Sequence, residues 1–129
     1  MTRARDGNEN QAQEAMVGWF YTVLPMVEVV HVPNEGKRSK SEAARLKRLG
    51  LRVGAADLIL YIPGQVITIE AKRPTDKLRK KRAGKMTAEQ LDFALRLNAM
   101  GHVCFKAEGI DDCRRAFAAL GIETREAPQ

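Results

Sequence analysis

Aromatic residues make up only 5% of this 129-residue chain, and it has two cysteines and two histidines. Each scarcity excludes something. No aromatic interleaves with the basic residues, so single-strand binding by base stacking is poorly supported. Cys104 lies in the apolar run Val103-Cys104-Phe105 and Cys113 follows Asp111-Asp112. Two such cysteines make no disulfide framework. Nor do they make a zinc site, because His31 and His102 are distant in sequence. Both histidines border expected strands and read as structural or solvated groups rather than general bases. No apolar run approaches the ~18 residues that span a bilayer. Met1 to Glu9 contains no signal-peptide apolar stretch. A cytoplasmic protein with no membrane partner is therefore expected.

Positive charge is what the chain has in excess. Twenty-two Lys and Arg against 16 Asp and Glu leave a net charge of +6. That balance favours a polyanionic partner, nucleic acid first. Hydrophobic content of 44% supports a packed core, and the length fits one compact domain over residues 1–129.

Periodicity gives the order of elements. Met16, Trp19, Phe20 and Val23 recur at helical spacing over about Glu9 to Val23, before Pro25. Val27 to Val32 is a β-branched strand ended by Pro33-Asn34. Ser39 and Glu42 have capping-box spacing ahead of a short helix from about Ser41 to Leu49. Two apolar runs then flank Pro63-Gly64, which predicts a β-hairpin. Pro74 to Lys85 is a basic loop. Thr87 to Met100 is expected to be helical, with Leu91, Ala94 and Leu95 on its packing stripe. A strand over Val103 to Ala107 and a helix from Asp111 to Leu120, capped by an Asp, complete the order, and Glu123 to Gln129 is expected to fray. The pattern α-β-(α)-β-β-α-β-α predicts an α/β fold. A central mixed sheet is flanked by helices, with the hairpin in the middle.

The hairpin carries the chemistry. Asp57 opens its first strand and Glu70-Ala71-Lys72 ends its second. Folding back brings the two acids together, and alternation puts Glu70 and Lys72 on one face. Two carboxylates suit a hard divalent cation, and an ammonium beside them can orient water or balance phosphate charge. Basic residues bracket this patch. Lys37, Arg38, Lys40, Arg45, Lys47, Arg48 and Arg52 precede it; Arg73, Lys77, Arg79, Lys80, Lys81, Arg82 and Lys85 follow it. A phosphate backbone could lie across both runs. A solvated ion pair on a sheet edge is the plain alternative for the patch, and two solvated surfaces for the runs. Two further readings are a DNA-binding module without catalysis and a protein-interaction domain.

Several segments in order resemble the VRR-NUC nuclease domain, of the PD-(D/E)XK restriction-endonuclease-like superfamily. They are Pro33 to Ser39, Ala44 to Lys47, Leu49 to Gly54, Asp57-Leu58, Ile69 to Pro74 and Gln90. The likeness runs from about Glu9 to Leu120 and is to the small stand-alone kind found in bacteriophages. It implies a restriction-endonuclease-like core and a phosphodiesterase that uses Mg²⁺ or Mn²⁺ on DNA, branched DNA included, in a bacterial host's cytoplasm. Asp57, Glu70 and the Ala71 carbonyl would ligate the metal, and Lys72 would hold the attacking water or stabilise the phosphate. Glu9 matches the family's helical acid, acting through water, with Glu14 as its rival. Gln90 either shapes the site or merely closes a capping box with Thr87. The family's Pro before the Asp is Ala56 here. Cutting both strands would need two copies, and a symmetric homodimer is the simplest supply. Trp19 is expected in the core or at that dimer's interface.

Overall fold

A computed structural model describes residues 7–33, 38–75, 78, 80 and 84–126, with the side chains of Gly7 and Asn8 left aside. Lys37, Lys77, Arg79, Lys81 and Arg82 lie outside the described residues, as do residues 127–129. The elements are α1 (Gly7–Val23), β1 (Glu28–His31), α2 (Lys40–Arg48), β2 (Leu58–Ile62), β3 (Gln65–Ala71), α3 (Ala88–Ala99), β4 (Val103–Ala107) and α4 (Ile110–Ala119). Among the described residues no helix is long and apolar enough to cross a membrane.

The four strands form one mixed sheet in the order β1-β2-β3-β4. β1 to β3 are antiparallel neighbours, while β3 and β4 run parallel. The hairpin is therefore central. Its turn is Pro63-Gly64, where Pro presets φ and Gly64 takes φ +75°.

Alternation along the strands divides the side chains between two faces. Leu58, Leu60, Ile67, Ile69 and Ala71 face α1 and α4 and meet Met16, Phe20, Val23, Cys113 and Phe117. The opposite face receives α3 through a smaller cluster of Ala56, Ala94 and Cys104. Fully burying one large apolar side chain contributes roughly 1.5–3 kcal/mol. The α1–α4 face thus carries most of the stabilising burial. Trp19, Phe20 and Phe117 pack there with ring centroids 5.7–5.9 Å apart. Trp19 is accordingly a core residue. α2 buries no residue, and Leu49 at its end is 71% exposed.

Three local expectations are corrected. The packing face of α3 is not Leu91-Ala94-Leu95: Leu91 and Leu95 are exposed, whereas Ala94 is buried with Phe93 and Leu97 packed beside it. Gln90, Phe93, Ala94 and Leu97 hold the i, i+3, i+4, i+7 spacing that faces the sheet. α4 is capped by Gly109 rather than an Asp. Asp112 lies inside its first turn and accepts from the Glu108 N–H at 2.8 Å. The tail to Glu126 is held. Arg125 N–H donates to Val23 O at 2.6 Å, and Trp19 Nε1 donates to Glu126 Oε2 at 2.9 Å.

Candidate functional site

The hairpin register places the two acids side by side. Leu58 pairs with Ile69, so the next pair outward is Asp57 with Glu70. Asp57 is anchored at both levels. Its carbonyl accepts from Val32 N–H at 2.7 Å, and its Oδ2 accepts from Ala71 N–H at 3.0 Å. The main chain of β1 and β3 thereby fixes the aspartate at the sheet end.

Glu70 is only 2% exposed. Its Oε1 accepts from Gln90 Nε2 at 2.7 Å and lies 3.7 Å from Lys72 Nζ. Its Oε2 is buried without a hydrogen-bond partner. Burial, then the neighbouring Asp57 carboxylate, push the Glu70 carboxyl up to about 9; Glu9 adds to the rise and Lys72 opposes it. A buried carboxylate crowded by like charge holds its proton until a cation offsets it.

Lys72 shares the Glu70 face, as alternation predicted, and is 8% exposed. Its N–H donates to Ala107 O at 2.9 Å, extending the β3–β4 pairing by one residue. Gly84 walls its stem: a Cβ there would lie 3.3 Å from Lys72 Cδ. Gly84 N–H also donates to Arg73 O at 3.1 Å, which holds the glycine beside the lysine stem. Sequence reasoning passed over this glycine, whose only signal was an isolated Gly in a basic stretch.

The two roles weighed for Gln90 coexist. Thr87 Oγ1 accepts from Gln90 N–H at 3.1 Å while Gln90 Oε1 accepts from Thr87 N–H at 2.8 Å. That box leaves the Nε2 end free to bond Glu70, so the cap aims the amide. Gly54 brings the helix close enough. It has φ +86°, and a Cβ there would lie 2.5 Å from the Glu89 carbonyl carbon. Only glycine fits, and α3 begins against the turn that leads into Asp57.

Of the rival helical acids, Glu9 bears electrostatically on Glu70, whereas Glu14 is exposed. One turn after Glu9, Gln13 Nε2 joins His31 Nδ1 at 2.9 Å. Among the described residues no three His, Cys, Asp or Glu side chains converge as a metal-holding group. The carboxylates of Asp57 and Glu70 remain as the offered set. Mg²⁺ suits such a set, since it keeps several waters and takes one or two carboxylates. The orphaned Glu70 Oε2 also fits a cation.

The described basic residues differ in their surroundings. Arg38, Lys40, Lys47, Arg48, Lys80 and Lys85 are exposed. Arg45 pairs with Glu42 on its own helix at 3.2 Å. Arg52 turns to Asp92 on α3 at 2.7 Å and lies over the Phe93 ring. Arg73 is half-buried beside Lys72. A cleft of about 720 Å³ lies elsewhere, lined by Ala12, Pro74, Glu108, Asp112, Arg115 and neighbours. It contains neither Asp57, Glu70 nor Lys72. Its acids offset its arginines, so the chemistry is assigned to the sheet end and not to this cleft.

Among solved structures, the fold is similar to that of a VRR_NUC domain protein: TM-score 0.61, 21% sequence identity, covering 90% of this chain and 89% of that one. At that identity the likeness is one of fold. No family model matches the chain, and no curated protein sequence matches it.

Proposed function

We propose that this chain is a single-domain, metal-dependent nuclease of the VRR-NUC type, which hydrolyses DNA phosphodiester bonds with Mg²⁺ or Mn²⁺. It would be a stand-alone, phage-type member acting in the cytoplasm of a bacterial host. The observation that carries this reading is the half-buried Asp57 beside the buried Glu70, with the unpartnered Glu70 Oε2, next to the ammonium of Lys72. Asp57, Glu70 and the Ala71 carbonyl would hold the metal, and Glu9 would reach it through water. Bound there, a divalent cation lowers the pKa of a coordinated water and offsets charge on a phosphate oxygen.

The protein's own groups have separate tasks. Gln90 fixes the Glu70 carboxylate by holding Oε1. The Ala71 N–H fixes Asp57 by holding Oδ2. Lys72, kept in place by Gly84, presents positive charge where charge develops on the phosphate. The exposed cations at Arg38, Lys40, Lys47, Arg48, Lys80 and Lys85 are the described candidates for the DNA backbone. Contacts of this kind position a duplex without reading its sequence. Nicked, flap and four-way junction DNA are the branched substrates to compare, and cleavage of both strands calls for a homodimer.

A DNA-binding module without catalysis is the second reading. The basic runs serve it equally, but it has no use for Asp57 and Glu70, which repel phosphate unless a cation intervenes.

The test is cleavage of labelled single-stranded, duplex, flap and junction DNA with Mg²⁺, Mn²⁺ or EDTA, using wild type and Lys72→Ala. Metal-dependent cutting that falls at least ~100-fold in the variant, with binding retained, is expected. Binding without cutting in either metal would replace the nuclease with the second reading.

A further inference from the structure

α2 is the helix that the core does not use. None of its side chains is buried. Glu42, Ala43 and Leu46 are half-buried on one side, while Lys40, Ser41, Ala44, Arg45, Lys47 and Arg48 are exposed on the other. Ala44 sits at the crest of the exposed side. At about 100° per residue, Lys40 and Lys47 stand roughly 40–60° to one side of Ala44, and Arg48 and Ser41 the same distance to the other. Arg45 lies further round on the Arg48 flank, where it pairs with Glu42 at 3.2 Å. The one acid of the helix is thereby turned away from the crest. Cations remain on both flanks of a small residue.

We propose that α2 docks in the major groove of a B-form DNA duplex, with Ala44 toward the base edges and its two cationic flanks toward the two phosphate walls. A single strand has one backbone and would leave one flank unused. The crest also lacks the aromatics on which unpaired bases stack. The major groove of B-DNA is about 12 Å wide and admits an α-helix. The nine residues of α2, at about 1.5 Å each, give it a length of about 13–14 Å. The major groove of an RNA helix is too narrow and deep to be entered this way. A membrane surface fits poorly, because an interfacial helix needs large apolar side chains free to enter lipid. Here Leu46, opposite the crest, is half-buried.

The mounting of α2 ties the groove to the carboxylates. Leu51 N–H donates to Leu46 O at 2.8 Å while Gly50 takes φ +106°, which closes the helix end. The chain is then pinned to α3. Arg52 reaches Asp92 at 2.7 Å, and Gly54 packs against the Glu89 backbone. Gln90, the next residue, holds Glu70. One consequence rests on the nuclease reading: a duplex seated on α2 is held at a fixed offset from the cut, so the substrate needs an intact double-helical arm beside it. The docking itself does not depend on that reading.

Fluorescence anisotropy in EDTA tests the docking without cleavage. The ligands are a short labelled DNA duplex, its single strand and an RNA duplex of the same sequence. The DNA duplex should bind at least ~10-fold tighter than either of the others. Lys47→Ala and Arg48→Ala should each lower the salt slope of duplex binding by about 1. Ala44→Leu keeps charge and helix propensity but fills the crest. Its duplex affinity should fall ~10-fold or more, with single-strand binding and circular dichroism unchanged. Methylating guanine N7, a major-groove atom, should weaken binding to wild type. Equal affinity for the single strand or the RNA duplex overturns the proposal. So does Ala44→Leu that binds the duplex like wild type, indifference to N7 methylation, or binding to anionic lipid vesicles in place of DNA. Duplex binding with the expected signature but no cleavage in Mg²⁺ or Mn²⁺ would remove the nuclease reading and leave the docking standing. Metal-dependent cleavage by an Ala44→Leu variant of wild-type affinity would remove the docking alone.

Discussion

Replacing Glu70 with Gln tests the electrostatics of the site directly. Burial and Asp57 raise the Glu70 carboxyl from 4.5 to about 9. Below pH 4.5 both folded and unfolded chains hold the proton. Between the two values the unfolded chain releases it and the folded chain keeps it. Stability from this group therefore falls as pH rises through that window and levels off above about 9. At pH 7 the gap from 4.5 is 2.5 pH units, and at 1.36 kcal/mol per unit the cost reaches at most about 3 kcal/mol. A glutamine mimics the protonated side chain. Its oxygen can accept from Gln90 and its amide can donate to Asp57. In EDTA, Glu70→Gln should gain up to about 3 kcal/mol over wild type at pH 7, but less than about 1 kcal/mol at pH 5. Added Mg²⁺ should reverse the order, because a ligand stabilises only the chain that binds it. Urea denaturation at pH 5, 7 and 9, with EDTA or Mg²⁺, measures all of this. A variant less stable than wild type at pH 7 in EDTA, or an equal gap at pH 5 and 7, would refute the reasoning.

Metal affinity should carry the same signature: binding displaces one proton from Glu70, so affinity measured by calorimetry rises about tenfold per pH unit between pH 6 and 8. Gly54→Ala should cost about 2–4 kcal/mol in thermal unfolding, since a methyl would overlap the Glu89 backbone at a positive φ. Gln90→Ala and Thr87→Ala should each lose about 1 kcal/mol from the broken capping box. Only Gln90→Ala should also lower cleavage, because Thr87 does not touch Glu70.

Much of the architecture was legible because hairpins and amphipathic helices are local. The run from Gly54 to Lys72 declared two strands, a turn and the side on which Glu70 and Lys72 emerge. β2 and β3 follow it closely. Capping signals placed α2 and α3 for the same reason, since a Ser or Thr answers an N–H three residues on. The misses involve contacts between distant segments. Leu91 and Leu95 looked like core because leucine at helical spacing usually is. The sheet instead accepted the neighbouring face, where the small Ala94 fits against Ala56 and Cys104. The tail looked frayed because its composition is polar, yet Trp19, far away in sequence, and Arg114 on α4 grip Glu126.

The sequence by itself determined the identity of the acids and the lysine, their order on a hairpin, and the excess of positive charge. Alternation and turn chemistry act over a few residues and need nothing else. The tertiary structure decided the state of those groups. It buried Glu70, set Glu9 rather than Glu14 to bear on it, swung Gln90 onto Oε1, and left Oε2 unanswered. A carboxyl's pKa depends on what surrounds it, and here those surroundings come from α1, α3 and two strands packed together.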